Sequence, residues 1–570
     1  MTFPLPATYS SLYDEAPLMT ASPKAFGRLS PSLVSFIALL TTALTVVTAS
    51  SSVKAQIVSE PTQSGGYVII GKVGVGDLMF HPLYVSLDVE REISALVYGD
   101  GLLRSGDNDL VEPGLAAEVP TSPDGGRTWT FRLRQGITFH DGAPLTAQDV
   151  IFSFYAYKQS RSYAPVFHRY FQNLDTVSAP DPLTVRIALK EPSKQFPLGL
   201  GKAPIMPKHQ MDRHLIADAF RAPDPTRPIG LGPFRVETWP YHDTVILSAN
   251  KAWYRGKPYL DGVIYKFFPS TEELQAAFVK REVDVVEVDW AKNFSDIKRA
   301  RGDAKIQAIQ PRNQAFTAVL YNLQHPVLTD RAVRQALAYA TDRQRILNQV
   351  MLPGAGETAN SPVDDSYWAR GGATEFKFAP NLGVSLLHEA GWQDTDHDGV
   401  LSFGKRKLQF ELLFPMGSSS AERIVRMIKL NLNDIGVSVI PIPVEQKELV
   451  ERLRVGVFEA ALFVQDFEPT PDDFYTLFHS ESIGLGFNVM RYLNRQVDRN
   501  ISFLFGINDR ARALPIYQGL QLHISTDQPC MFLYFIKVRY LAYDPRIRNL
   551  GPPGARLNPP DKWFFVPDGR

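Results

Sequence analysis

Apolar and polar residues alternate along several short stretches of the chain. Thr128–Arg134 (TWTFRLR) and Leu183–Lys190 (LTVRIALK) show this two-residue period, which places every second side chain on one face of a sheet. Tyr67–Gly71 (YVIIG) is instead a continuous apolar run of strand length, as expected for a strand buried on both faces. These stretches predict β-strands.

Other stretches carry apolar residues at helical spacing. Asp330–Val350 places alanines, leucines and valines on one side and predicts a long amphipathic helix. Ala421–Ile435 predicts a second helix, ended by Gly436, and Val437–Pro443 (VSVIPIP) a strand after it. Because strands and helices alternate along the chain, we expect an α/β fold with mixed sheets.

Length and composition narrow the class of protein. The chain has 570 residues, so two or three domains are expected. It contains 60 Lys+Arg and 60 Asp+Glu. This balance gives no sign of the basic face that a nucleic-acid-binding protein needs. Its one cysteine, Cys530, allows neither an internal disulfide nor a Cys-rich metal site. No cofactor and no metal site are predicted.

The amino terminus has the features of an export signal. Lys24 and Arg28 precede an apolar stretch, Leu33–Ala49, and Val53 and Ala55 suit cleavage after Ala55. We therefore expect residues 1–55 to be a signal peptide and 56–64 a flexible lead-in; an uncleaved membrane anchor is the alternative. No cysteine lies near this point, so an amino-terminal lipid anchor is not expected. The predicted location is the periplasm.

Longer segments resemble one known family. Leu115–Phe154 contains the run RQGITFHDGAPLTAQDV, and Gly230–Trp239 (GLGPFRVETW) and Asn250–Lys266 (NKAWYRGKPYLDGVIYK) follow in family order. Gly391–Leu401 and Phe487–Asp498 also match. Together these segments resemble the family 5 bacterial extracellular solute-binding proteins, which include oligopeptide-, dipeptide- and nickel-binding components of ABC importers. The resemblance covers roughly residues 65 to 560.

The resemblance implies a two-lobed, periplasmic-binding-protein-like clamshell of type II, with mixed sheets, an enlarged first lobe and a hinge. The implied hinge lies near Leu320–Tyr321 and Cys530–Tyr534. The implied domains are lobe I at 65–320 plus 528–570, with an inserted subdomain at about 104–228, and lobe II at 321–527.

The same resemblance implies a function without catalysis. It predicts a monomeric binding protein that captures peptides, most simply oligopeptides, and delivers them to an inner-membrane ABC permease. Alternatives within transport are a receptor for nickel, a metal chelate, haem or a sugar derivative. Two alternatives lie outside it: an extracytoplasmic hydrolase, supported only by acidic residues, and a sensor module that reports ligand occupancy to a membrane receptor.

Candidate ligand-binding residues follow from the resemblance. Ala461–Ser480 resembles the segment whose aspartate pairs with a peptide ammonium; Asp466 takes that place and Phe463 replaces the usual tryptophan. Asp472 or Asp473 are alternatives, because one residue is inserted before Phe474. In dipeptide-type relatives an arginine for the carboxylate lies in the loop that here reads 416–420 and has none. Longer peptides or another solute are therefore favoured.

Aromatic side chains are a second group of candidates, because they stack on ligand backbone or rings. Tyr67, Phe80 and Trp253 belong here with Phe463, and ordinary core packing is the alternative for each.

Two patterns suggest ions. Asp394, Asp396 and Asp398 begin like a calcium loop, but Lys405 stands where its glutamate belongs, so an acidic surface turn is favoured. His325, His397 and His479 lack metal-ligand spacing, and His140 is expected to be structural.

Overall fold

The computed structural model describes residues 65–566, except 75–77, 79, 84–86, 106–110, 160–170, 194–195, 198–202, 212–227, 239–242, 289–290, 312–313, 485–486 and 508. The predicted signal peptide and lead-in therefore lie outside the described residues. Two large mixed sheets, each with its own helices and hydrophobic core, form two lobes.

The first lobe is built on a seven-stranded sheet with the order β11-β20-β10-β1-β9-β8-β7. Strand β1 is parallel to both of its neighbours, and β20 pairs antiparallel with β10 and β11. The strands are β1 (Tyr67–Val73), β7 (Phe234–Thr238), β8 (Thr244–Ala249), β9 (Gly262–Phe268), β10 (Val285–Val288), β11 (Lys305–Ile309) and β20 (Arg539–Tyr543). The helices beside it are α1 (Asp88–Tyr98), α4 (Thr271–Val279) and α5 (Ala291–Ala300).

A smaller sheet extends the first lobe, where the sequence predicted an inserted subdomain. Its strands have the order β4-β6-β5, and their buried side chains belong to the same hydrophobic cluster as Val68 and Val263 of the large sheet. The extension therefore shares the core of the lobe. Its elements are β2 (Leu103–Ser105), β3 (Val111–Pro113), β4 (Thr128–Arg132), β5 (Leu174–Asp181), β6 (Thr184–Leu189), α2 (Ala147–Gln159) and α3 (Lys208–Met211).

The second lobe is built on a six-stranded sheet with the order β13-β19-β12-β18-β16-β17. The strands are β12 (Ala315–Tyr321), β13 (Gly356–Thr358), β16 (Gln409–Pro415), β17 (Ser438–Val444), β18 (Ala460–Asp466) and β19 (Cys530–Ile536). The helices are α6 (Arg331–Ala340), α7 (Arg343–Val350), α8 (Pro380–Glu389), α9 (Ser419–Asn433), α10 (Gln446–Val455), α11 (Pro471–Phe478), α12 (Arg495–Leu504) and α13 (Arg510–Asp527). Short pieces complete the described fold: β14 (Ser402–Phe403), β15 (Arg406–Lys407), β21 (Ile547–Arg548), β22 (Phe564–Phe565) and the 3₁₀ turns Ser480–Ile483 and Pro560–Lys562.

The chain passes from the first sheet to the second between β11 and β12, and it returns between β19 and β20. Strands β12 and β19 pair with each other in the second sheet, whereas β11 and β20 pair in the first. The sequence analysis placed β19 and all of β12 except Tyr321 in lobe I, and it placed the hinge within these two strands. Both strands are almost entirely buried, and a continuous apolar run does not reveal which sheet it joins. The strand pairing instead assigns β12 and β19 to the sheet of the second lobe.

The predicted helix Asp330–Val350 is in fact two helices. Asp330 caps the first by accepting a hydrogen bond from the Ala332 amide. At Thr341 the backbone becomes extended, and the Asp342 side chain then accepts from the Arg345 amide and starts the second helix. The break turns α7 so that its last residue, Val350, reaches the space between the lobes.

Candidate functional site

A cavity of about 240 Å³ lies between the two lobes. We call it the interlobe cavity. Residues of the second sheet form its floor, α7 and α9 its sides, and the ends of β10 and β20 the wall from the first lobe. It is lined by Glu287, Val288, Thr317, Val350, Met351, Leu352, Ala355, Pro415, Ser418, Ser420, Ala421, Ile424, Leu462, Phe463, Val464, Tyr534, Ile536, Val538, Arg539 and Tyr540.

Three neighbouring strands supply one row of the floor. Thr317 on β12 lies directly opposite Val464 on β18 and Tyr534 on β19, and directly opposed residues share a face of an antiparallel sheet. Thr317 is only 1% exposed, and its Oγ1 has no hydrogen-bond partner among the described residues. A buried hydroxyl thus lies in a largely apolar floor.

Helix α9 begins at the side of the cavity. Ser418 caps it by accepting a hydrogen bond from the Ala421 amide, and Ser418, Ser420, Ala421 and Ile424 line the cavity. The first turn of a helix carries amide groups without helical acceptors and a partial positive charge. This edge of the cavity is its polar side within the second lobe.

Charged residues form the wall contributed by the first lobe. Arg539 donates a hydrogen bond from Nη1 to Glu287 Oε1 over 3.0 Å. The negative charge of Glu287 is the main reason that the pKa of Arg539 is raised; burial opposes it, and Asp88 and Asp466 add to it. Arg539 therefore stays positive and lies within the electrostatic reach of carboxylates from both lobes.

A second ion pair lies beside the first. Lys72 of β1 contacts Glu92 of α1 over 2.8 Å. Burial would lower the pKa of Lys72, but Glu92 and Glu287 raise it above its ordinary value. In this cluster, two cations (Lys72, Arg539) therefore face three carboxylates (Glu92, Glu287 and Asp466).

Asp466 is the last residue of β18. This end of β18 lies beside the start of β12, close to the point where the chain crosses between the lobes. It pairs with Ala315 and lies two residues beyond Val464, on the same face of the sheet. Two residues along a strand span about 6.8 Å, so Asp466 lies just past the cavity floor. Its charge reaches Arg539. The structure thus brings Asp466 to the edge of the cavity.

The alternative aspartates have local roles. Asp473 accepts a hydrogen bond from the Glu468 amide over 2.7 Å and lies in the first turn of α11. None of the three aspartates is among the residues that line the interlobe cavity. Asp466 follows Val464 of the cavity floor by two residues along β18, whereas Asp472 and Asp473 lie in α11.

Phe463 is among the residues that line the cavity, but its ring lies on the opposite face of the sheet. It lies across from Ala318 and packs against the cluster that contains Ala318 and Phe316. Because strand residues alternate between faces, Phe463 points away from the row of Thr317 and Val464. It supports the floor from behind.

The other three aromatic candidates lie elsewhere in the first lobe. Val288 of the cavity lies three residues past Val285, which pairs with Ile70 of β1. Tyr67 lies three residues before Ile70, so it is about 20 Å away along the strands. The Tyr67 hydroxyl donates to Glu237 over 3.3 Å. Phe80 is buried in the core, and Trp253 is buried between the Arg255 and Lys562 side chains. The structure does not bring these three residues to the cavity.

Direct hydrogen bonds also join the lobes. Thr271, at the start of α4, donates to the Gly417 carbonyl oxygen from its amide over 3.0 Å and from its hydroxyl over 3.3 Å. Gly417 lies in the loop before α9 and has a φ of +79°. The lobes are therefore in contact beside the cavity.

The acidic turn lies on the surface of the second lobe. Asp394, Asp396 and Asp398 bring their oxygens within 4.8 Å of one another. The Lys407 ammonium contacts Asp396 over 2.6 Å and Asp398 over 2.9 Å. The cation in this turn is thus Lys407 rather than the expected Lys405.

The histidines have structural surroundings. His140 accepts from the Gly230 amide at Nδ1 and contacts the Gly232 carbonyl oxygen at Nε2, over 3.2 and 3.1 Å. His479 stacks on Tyr475, and His325 faces Glu459. Among the described residues, no group of three metal-ligating side chains includes a histidine.

The sequence analysis missed Glu287, Thr317, Arg539 and the first turn of α9. Arg539 carried the clearest signal, because it and Lys537 interrupt an otherwise apolar run from Cys530 to Tyr543. Thr317 and Glu287 each lie in a largely apolar strand, and nothing local marks them as site residues.

Comparisons with known proteins agree with this geometry. The chain is 30% identical over 480 residues to the oligopeptide-binding protein AppA of Bacillus subtilis (strain 168), covering 83% of this chain and 87% of the relative. The crystal structure of that protein in complex with a nonapeptide matches with a TM-score of 0.81 at 27% identity, covering 89% of this chain and 100% of that chain.

A second solved structure shares the fold. NikZ from Campylobacter jejuni in complex with Ni(L-His) matches with a TM-score of 0.75 at 21% identity, covering 87% of this chain and 99% of that chain.

In the part of the chain that the structure describes, none of the helices combines the length and apolar character needed to cross a bilayer.

The family itself follows from a match over most of the chain. Residues 111–484 match the bacterial extracellular solute-binding proteins, family 5, middle region. The two-lobed α/β fold and the interlobe cavity are those expected from the resemblance. The chain belongs to the family 5 bacterial extracellular solute-binding proteins, the non-enzymatic solute-binding components of ABC transporters.

Proposed function

We propose that this protein captures peptides, in particular oligopeptides, between its lobes. The observation that carries the proposal is the position of Asp466 on β18, two residues beyond Val464 of the cavity floor. A peptide brings an ammonium group, and a buried charge of this kind needs an opposite charge. The charges around Asp466 favour a cationic group, since three carboxylates lie beside two cations.

The absence of arginine from the loop 416–420 supports a ligand longer than a dipeptide. The start of α9 offers amide groups there, and the loop itself carries no cationic side chain. The relative with 30% identity is an oligopeptide-binding protein. An oligopeptide would meet Asp466 with its amino end and extend along the gap between the lobes.

We further propose that the protein is exported and delivers its ligand to an ABC permease in the membrane. Cleavage after Ala55 would release a chain without an amino-terminal cysteine. Amino-terminal sequencing of the secreted protein tests this step. A start at Gln56 is expected, and a cell-associated protein that retains residues 33–49 would contradict it.

A thermal-shift screen tests the ligand class. Peptide pools, Ni(II) with histidine, and oligosaccharides are each added to the purified protein. A ligand present at about 100 times its dissociation constant adds about 2.7 kcal/mol to the free energy of unfolding. We expect peptides to raise Tm and amino-acetylated peptides to raise it less. A shift with Ni(II) and histidine but none with peptides would replace the proposal with a metal-chelate receptor.

A further inference from the structure

The interlobe cavity is both large and mostly apolar. Aliphatic side chains from both helices and the sheet line it, among them Val350, Leu352, Ile424, Leu462 and Ile536. An apolar protein cavity of about 150 Å³ holds a benzene ring, and this cavity is about 240 Å³. An aromatic side chain therefore fits, with room left for a polar atom.

The floor of the cavity contains a polar atom that needs a partner. Thr317 Oγ1 is buried and has no hydrogen-bond partner among the described residues. A hydroxyl both donates and accepts, and a buried one without a partner is costly. When an apolar group fills the cavity and excludes water, only the guest can supply this bond.

The distance to Asp466 sets which part of a peptide reaches the cavity. Asp466 lies two residues beyond Val464 of the floor, a span of about 6.8 Å. A peptide with its ammonium at Asp466 has its first two side chains within that reach. Later residues extend past the cavity.

We propose that the interlobe cavity is the pocket for residue 1 or 2 of the bound peptide and that it selects tyrosine through the Thr317 hydroxyl. This inference rests on the proposed function. The ring fills the apolar space, and the phenolic hydroxyl bonds Thr317 Oγ1. Buried tyrosine hydroxyls ordinarily have a hydrogen-bond partner, so both hydroxyls gain from the contact.

Binding of defined peptides tests the selection. The probes are tetra-alanine and its variants with one tyrosine, phenylalanine or glutamate at each position, measured by calorimetry with the full-length mature protein. We expect tyrosine at position 1 or 2 to bind at least tenfold tighter than alanine and about threefold to tenfold tighter than phenylalanine. Positions 3 and 4 should show no such preference.

Three variants separate the contribution of the Thr317 hydroxyl from that of the cavity volume. Thr317→Val should remove the preference for tyrosine over phenylalanine and keep the affinity for phenylalanine, whereas Thr317→Ser should retain the preference. Ala421→Leu narrows the cavity and should weaken both aromatic peptides more than it weakens tetra-alanine. Thr130→Val, at an exposed position of β4, is the matched control and should change nothing.

The outcomes distinguish this inference from the proposed function. Equal affinities for alanine, phenylalanine and tyrosine peptides, or a tyrosine preference that survives Thr317→Val, would overturn the inference and leave peptide binding intact. Failure of every peptide to bind the wild-type protein would overturn the proposed function and the inference with it. Ala421→Leu and Thr317→Ser keep the test decisive if Thr317→Val does not fold.

Discussion

The amide and the hydroxyl of Thr271 both bind the carbonyl oxygen of Gly417. Thr271 begins α4 in the first lobe, and Gly417 precedes α9 in the second. This contact joins the lobes directly beside the interlobe cavity. Since it can form only while the lobes are together, it favours the closed arrangement, and a ligand that needs closure gains from it.

Replacing Gly417 by alanine should break this contact. An added Cβ would lie 2.1 Å from the Pro269 carbonyl oxygen, and the φ of +79° disfavours any side chain. With two hydrogen bonds of about 0.5–1.5 kcal/mol each lost, we expect ligand affinity to fall about tenfold and the radius of gyration from small-angle scattering to rise.

Gly354→Ala is the control for Gly417→Ala. Gly354 has a similar φ of +78°, but no atom lies within 4 Å of its added Cβ. Both variants should lose comparable stability from backbone strain, and only Gly417→Ala should lose affinity. Equal affinities in the two variants would show that the contact does not assist closure.

Asp466→Asn should weaken the binding of peptides that have a free amino end. A hydrogen bond to a charged group contributes about 1.5–3 kcal/mol, so the loss should be about 10-fold to 150-fold. Amino-acetylated peptides should bind the variant and the wild type alike, because they bring no positive charge. Calorimetry with both peptide forms measures the difference.

Asp473→Asn is the companion variant for Asp466→Asn. Asp473 accepts from the Glu468 amide in its own segment, so its replacement should lower Tm and leave affinity unchanged. Loss of affinity in Asp473→Asn, with none in Asp466→Asn, would transfer the ammonium role to the neighbouring segment.

Two buried histidines should make the stability depend on pH. Burial lowers the pKa of His81 to about 3 and that of His140 to about 4, against 6.5 in the unfolded chain. At a pH between the folded-state pKa of each histidine and 6.5, the unfolded chain binds a proton at that histidine and the folded protein does not. The free energy of unfolding should therefore fall as pH drops below 6.5, by up to about 1.4 kcal/mol per pH unit for each histidine.

Urea titrations at pH 7, 6, 5 and 4.5 measure this slope. His140→Gln should reduce it, because one of the two groups no longer takes up a proton on unfolding. His388→Gln, at an exposed position of α8, should leave it unchanged. A slope that is the same in all three proteins would exclude His140 as a source.

A buried ion pair should matter for the stability of the first lobe. Arg301 Nη2 contacts Asp544 Oδ2 over 2.6 Å, with the two side chains 2% and 1% exposed, and the Arg301 guanidinium also lies 4.3 Å from the centre of the Phe278 ring. Asp544→Asn leaves the buried guanidinium of Arg301 with only the longer contact to Asp303, 3.7 Å from its Nε. We expect a loss of about 3–5 kcal/mol in urea unfolding.

Asp303→Asn tests the exposed part of the same network. Asp303 pairs with Arg281 at the surface and is itself 41% exposed, although it also lies 3.7 Å from Arg301 Nε. Exposed pairs contribute at most about 1 kcal/mol. A small loss in Asp303→Asn beside a large one in Asp544→Asn is expected. Equal losses would contradict the dominant role of burial.

The family resemblance depended on local signals that a single sequence carries well. The strands predicted at Thr128–Arg134 and Leu183–Lys190 are set by residues close together in the chain, and the structure has strands there at Thr128–Arg132 and Thr184–Leu189. Local conformational preferences were enough for these elements.

The sequence by itself determined the α/β class and several of its strands and helices, because alternation and capping act over a few residues, whereas the candidate Asp466 came from the family resemblance. Tertiary structure alone decided that β12 and β19 belong to the second sheet and that Thr317, Val464, Tyr534 and Arg539 meet at one cavity. These residues are up to 222 positions apart in the printed sequence. Their meeting depends on strand pairing between distant segments, which no pattern of neighbouring residues encodes.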